Sequence, residues 1–148
     1  MIPLEPDLLR AAQGRAKSHL AEGRCFFVTL SLRPLTMSWL SIPESDLIES
    51  LESARQRMNV QQRRLWDLIR IPPHKWQSSA HGDQGGGFWV IALLGQTVIW
   101  FNDIEEGFNN SRWTQFGQID EYWCNQDQLE WTVQHLLDLM SIAQTEQT

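Results

Sequence analysis

The sequence predicts an α+β fold: an antiparallel sheet of about five strands with three helices, mainly on one face, in the order α-β-β-α-β-β-β-α. Three observations carry that prediction. Phe88 to Leu94 is a run of seven apolar residues, Thr97 to Phe101 is a second β-branched and aromatic run, and only Gly95-Gln96 separates them. This is the pattern of a buried hairpin closed by a type II′ turn with glycine first. Two stretches, one after Ser41 and one after Asn125, carry apolar residues at helical spacing, as one face of an amphipathic helix requires. No strand alternates with a helix in a βαβ series, so segregation of the helices to one face of the sheet is the natural architecture.

In chain order, Leu9, Ala12, Ala16 and Leu20 set a short helix over Asp7 to Glu22, with Asp7 as N-cap and Gly23 as its stop. From Cys25 the period becomes two, with Phe26, Val28, Leu30 and Leu32 on one side, and Leu35, Met37 and Trp39 suggest a return strand after Pro34. Ser41-Ile42-Pro43-Glu44 has capping-box spacing. Leu47, Leu51, Ala54, Met58, Leu65 and Leu68 then continue one stripe, with Asn59 marking a bend and Pro72-Pro73 forcing an end. His74 to Gly87 reads as a long loop and Asn102 to Asn110 as a polar turn. Ile119, Glu121 and Trp123 alternate as a third strand beside the hairpin, and Leu129, Val133, Leu136, Leu137 and Met140 form a terminal helical stripe behind an Asn125 cap.

A chain of 148 residues suits one domain, residues 1–148, large enough to fold without a metal or disulfide staple. Eight Trp against one Tyr is an excess expected to fill core. The chain carries no long cationic and apolar leader and no apolar stretch near eighteen residues, so neither a secretory signal nor a membrane span is expected, and a cytoplasmic protein is. Cys25 and Cys124 stand in no CxxC pattern, which predicts buried free thiols. The charge is unevenly placed. Through Trp76 eleven Lys/Arg meet eight Asp/Glu, whereas from Gln77 onward one Arg meets ten Asp/Glu, a net −9. Such a half repels phosphates and favours a cationic partner, which argues against nucleic acid and for a basic protein.

Candidate site residues follow from that asymmetry. Asp103, Glu105 and Glu106 leave a buried strand beside Asn102 and Asn109, where carboxylates are held rigidly and exposed. With Asn109, Trp113, Asp120 and Glu121 they make the expected partner-binding set of acid and aromatic groups. The spacing lacks the order of a calcium loop. His74, His81 and Asp83 are the weak metal candidates, with neither helical nor HExxH spacing, so no metal and no cofactor is expected. Arg63, Arg64, Arg70 and Lys75 with Trp66 and Trp76 form a basic, aromatic cluster better read as a solvated face than as a phosphate grip. No nucleophile elbow and no phosphate loop is present. The expectation is a small non-enzymatic interaction module whose acidic, Trp-rich half meets a basic partner, in the manner of an inhibitor, immunity or regulatory protein. The alternatives are a small metal- or carboxylate-dependent enzyme using Asp103, Glu105 or Glu106 with His74 or His81, and a small-ligand binding protein.

Overall fold

The two apolar runs pair as the sequence requires, and the remaining elements are laid against them. The computed structural model describes residues 40–79 and 85–146; the helix expected over Asp7 to Glu22, the strands expected from Cys25 and Leu35, and both His81 and Asp83 lie outside the described residues. The described elements are α1 (Glu44–Arg57), α2 (Val60–Ile69), β1 (Arg70–Ser78), β2 (Phe88–Leu94), β3 (Thr97–Asn102), β4 (Gly107–Arg112), β5 (Gln118–Ile119) and α3 (Leu129–Thr145). The fold is α+β.

The sheet order is β4-β3-β2-β1-β5. Gly95 takes φ +56° while Gln96 stays at negative φ, as a II′ turn needs, and β2 and β3 pair antiparallel from Leu94↔Thr97 to Trp89↔Phe101. The expectation of a purely antiparallel sheet is corrected at one edge: β5 runs parallel to β1, Gln77 opposite Gln118 and Ser78 opposite Ile119. The cause is chain direction, because the segment after β4 crosses beneath the sheet before it meets β1.

Two strands were hidden in the sequence. β1 contains Pro72 and Pro73, where the sequence predicts a helix end and a loop; the prolines fall within its register irregularity between Arg70 and His74, before the stretch that pairs with β5, so their missing N–H groups interrupt no second ladder. β4 overlaps the polar turn expected over Asn102 to Asn110, because its inward side carries Asn109 and Ser111 instead of apolar residues. The strand expected over Ile119 to Trp123 shortens to Gln118–Ile119, and the rest runs as an extended strap along β4.

The single long helix expected after Ser41 breaks in two. Met58 is extended, and Asn59 caps α2 through a reciprocal pair of bonds with Gln62, each 2.9 Å long, so the polar signal at Asn59 is a helix start. The expected caps at Ser41 and Asn125 are corrected: α1 begins after Pro43 and α3 after Gln128, with no side-chain cap on either. Both side chains lie too far upstream of the first turn they were assigned to.

Each face of the sheet has its own core. Leu47, Leu51 and Ala54 of α1, Leu65 and Trp66 of α2, and Leu129, Val133 and Leu136 of α3 pack with Ile91, Ile99 and Phe108 on one face. On the other, Trp76, Phe88, Val90, Val98, Trp100 and Ile119 pack beneath Trp113, Tyr122 and Trp123. Trp89 and Trp100 thus serve opposite faces, and burial of rings this large contributes about 1.5 to 3 kcal/mol each. Arg55 grips Asp67 at 2.8 Å and Arg57 grips Glu130 at 2.7 Å, joining α1 to α2 and α3. Cys124 is buried and disulfide-bonded, which corrects the expectation of a free thiol there. Among the described residues no helix is long and apolar enough to cross a membrane.

Candidate functional site

The acidic turn between β3 and β4 is organised by Asn102, which is fully buried. Its Oδ1 accepts from the N–H groups of Ile104 at 3.1 Å and Glu105 at 3.3 Å, and its Nδ2 donates to the Tyr122 hydroxyl and the Trp123 carbonyl, both at 3.0 Å. All four hydrogen-bonding positions of the amide are used. The first pair bends the chain into an Asx-type turn; the second binds that turn to the strap. Glu106 closes the turn at φ +56°, a left-handed conformation that a side chain with a Cβ adopts only under constraint.

Asp103 is turned inward. Its Oδ2 accepts the Ile42 N–H at 2.9 Å, sixty-one residues away in the chain, so it anchors the segment that leads into α1. Burial raises its pKa, opposed by the Ile42 and Ser41 hydrogen bonds and by the Lys75 ammonium. Lys75 lies opposite Trp89, with its Nζ 4.6 Å from the ring centroid, and donates to Ser41 Oγ and to the carbonyls of Gly85 at 3.3 Å and Gly87 at 3.1 Å. Burial lowers its pKa. An ammonium whose three donors are taken is a clasp and holds no lone pair for base chemistry.

The strap from Asp120 to Asp127 runs antiparallel to β4 and is pinned along its length. The Asp120 N–H donates to the Arg112 carbonyl at 3.1 Å and the Phe108 N–H to the Asp127 carbonyl at 2.9 Å. Ser111 Oγ receives the Trp100 indole N–H at 2.8 Å and donates to the Glu121 carbonyl at 2.8 Å. Asn109 Oδ1 accepts the Asn125 N–H at 2.9 Å, and its Nδ2 donates to the Gly107 and Asn125 carbonyls, each at 3.3 Å. Gly107 permits this approach, since a Cβ there would collide with the Asn125 carbonyl.

The structure therefore sorts the predicted residues by role. Glu105, Glu106, Asp120 and Glu121 lie on the turn and the strap, which the two asparagines hold together. Asn109 is buried and Asp103 points inward, so both support that surface from beneath. Trp113 is half-buried, its indole N–H on the Gly95 carbonyl at 3.1 Å and its ring edge-on to Trp76 at 5.5 Å. His74 neighbours Lys75 in regular β1 register and so projects from the opposite face of the sheet to Asp103's partner. Trp66 and Trp76 are buried, which leaves neither ring a face on which a base stacks. Among the described residues no group of three or more His, Cys, Asp and Glu is placed to hold a metal ion.

The chain matches no family model, no curated protein and no solved structure.

Its own electrostatics carry the functional reading. Between Thr97 and Gln128 the carboxylates of Asp103, Glu105, Glu106, Asp120, Glu121 and Asp127 stand with Arg112 as the one Lys or Arg, and none of them makes a salt bridge among the described residues. On the helices Glu52, Asp67 and Glu130 do, whereas Glu44, Asp46, Glu49 and Asp138 do not. Sequence reasoning missed Asp127 and the cavity of about 330 Å³ that opens between β4, the strap and α3, lined by Asn110, Trp123, Asp127, Thr132 and His135 among others. The signal was present in the unequal treatment of Asn109 and Asn110, which a strand sends to opposite faces.

Proposed function

We propose that the turn over Asp103–Glu106 and the strap over Asp120–Asp127 form one acidic interaction surface that binds a basic protein partner, as an inhibitor, immunity or regulatory protein does. The observation that carries this reading is the concentration of unpaired carboxylates on two segments that a buried asparagine frame holds rigid. A solubilising loop needs charge but no frame. Here Asn102 and Asn109 commit four hydrogen bonds to the strap and three more to the turn and β4, so ordering entropy is lost on folding and is not lost again on binding. An anionic field of this kind speeds encounter with a cationic surface and suppresses nucleic acid.

The test is affinity capture with the full chain beside two charge-reversed forms, Glu105→Lys with Glu106→Lys, and Asp120→Lys with Glu121→Lys. A partner of the proposed kind associates more slowly with each reversed form and more slowly in raised salt. Capture of nothing, or of a protein indifferent to both reversals and to salt, counts against the proposal.

A further inference from the structure

We infer that the outer face of α3 pairs with the same face of a second copy of this chain, the two helices lying antiparallel about a two-fold axis. The helix has apolar residues on both sides. Leu129, Val133 and Leu136 are buried in the core, yet Trp131 remains 59% exposed, Leu139 62% and Ile142 59%. Apolar residues scattered over a surface ask for no explanation, but these are aligned. At about 100° per residue, Trp131, His135, Asp138 and Ile142 fall within about 60° of one another, and Leu139 flanks them. All five are exposed. A helix that is apolar on its outer face as well as its inner one has a second surface to bury.

The spacing of these residues selects the occupant. Trp131, His135, Asp138 and Ile142 follow one another at intervals of 4, 3 and 4 residues, the seam of a two-helix contact. The series is the same read in either direction, so an antiparallel copy sets Trp131 against Ile142 twice and His135 against Asp138 twice. Apolar ends thus close over a polar centre. In a parallel pair imidazole would meet imidazole and carboxylate would meet carboxylate, and the like charges would repel. A polar pair within an apolar seam is the device that fixes orientation and register. Both groups are available for it. An imidazole presents an N–H in either protonation state. Asp138 uses Oδ1 on the Gln134 amide at 2.9 Å, and neither residue makes a salt bridge among the described residues. α3 carries no Lys or Arg, so this face suits neither an acidic partner nor an anionic lipid surface, which basic helices bind. A contact of one patch with its own copy closes as a pair. The seam uses no residue of the turn or the strap. With one helix of 17 residues on each side, about 25 Å long, the interface is small, and the dissociation constant is expected in the micromolar range.

The experiment is sedimentation equilibrium of the full chain from about 1 µM to about 1 mM, repeated on Trp131→Glu, on Asp138→Lys, and on Asp138→Lys combined with His135→Glu. Thermal melts of dilute samples accompany each. The wild type is expected to pass from monomer to dimer over that range and to go no further. Trp131→Glu and Asp138→Lys should each raise the dissociation constant about tenfold or more, and the double variant, whose charges are exchanged across the axis, should return it to within about threefold of the wild type. All these positions are exposed, so the dilute variants should melt with the dilute wild type. A wild type that stays monomeric to about 1 mM overturns the inference, as does a dimer indifferent to Trp131→Glu, which pairs through another face. A dimer weakened by Asp138→Lys but not restored by the double variant overturns the antiparallel pairing. A dilute Trp131→Glu chain that melts well below the wild type shows the ring to be covered within the monomer, which overturns it too.

Discussion

The Asn102 side chain donates to the Trp123 carbonyl at 3.0 Å and ties the last residue of β3 to a strap twenty-one residues further on. Through this bond the turn that bears Glu105 and Glu106 and the segment that bears Asp120 and Glu121 become one surface.

Replacing Asn102 by Ala leaves two N–H groups, a hydroxyl and a carbonyl without their buried partner, and is expected to lower stability by roughly 2 to 4 kcal/mol. Asn102→Asp keeps the shape and the two acceptor bonds but loses both donors and buries a charge, so it should rescue little. Urea midpoints of the two variants check this; an Asp variant as stable as wild type would mean that the donors to Tyr122 and Trp123 contribute nothing.

Asp103→Ala removes the bond to Ile42 and is expected to lower stability by about 1 to 2 kcal/mol, while Glu105→Ala should change it little. Asp103→Asn retains an acceptor for Ile42 and sheds a charge whose burial is unfavourable, so its loss should be smaller than that of Ala. Thermal melts order the three.

Glu106 sits at φ +56°, where glycine is free of the Cβ clash. Glu106→Gly is expected to raise stability by roughly 0.5 to 1 kcal/mol even though glycine gains more freedom when unfolded. A lower melting temperature would show that the side chain itself anchors the turn.

Two carboxylates should act on the acid limb with opposite sign. The Arg55 hydrogen bond lowers the folded pKa of Asp67, so its contribution is present above the unfolded pKa and is lost as pH falls through the lowered value. Burial raises the folded pKa of Asp103, so its ionised form is penalised at neutrality and that penalty is relieved as pH falls through the raised value. Asp67→Asn should therefore flatten the fall of stability in acid, and Asp103→Asn should steepen it. Urea midpoints measured from about pH 7 to about pH 3 read both slopes; slopes moving in the same direction would contradict the assignment.

What was legible in the sequence was what apolar periodicity and turn chemistry encode. The β2–β3 hairpin, with Val98 and Ile99 buried, and the inward Leu129, Val133 and Leu136 of α3 follow from local pattern, whereas Met140 and Leu68, expected on the helical stripes, are exposed. β4 is hidden because its inward Asn109 and Ser111 are satisfied by the strap, and partners sixteen and ten residues downstream leave no local periodicity. β1 escaped because Pro72 and Pro73 are tolerated only when no second strand lies beside them, a fact of topology. The acidic turn was found by charge alone. Its inner side was not, since the reach of Asp103 to Ile42 and the clasp of Lys75 on Ser41 depend on long-range packing. Ser41 is spent on Lys75 instead of on a helix cap, so one good local signal loses to a tertiary contact, while at Asn125 it is the backbone that is held by the Asn109 side chain.

The measurement that bears most directly on the acidic surface is a residue-resolved map of where a cation lands. A blocked peptide of alternating Arg and Gly, titrated into the ¹⁵N-labelled chain at low salt, should shift Glu105, Glu106, Asp120, Glu121 and Asp127 together, leave the outer faces of α1 and α2 unmoved, and lose affinity steeply as salt rises past the point where the screening length falls below about 10 Å. Shifts concentrated on Glu44, Asp46 and Glu49 of α1, or spread evenly over the surface, would contradict the account, because the turn and strap would then be acidic without being a site.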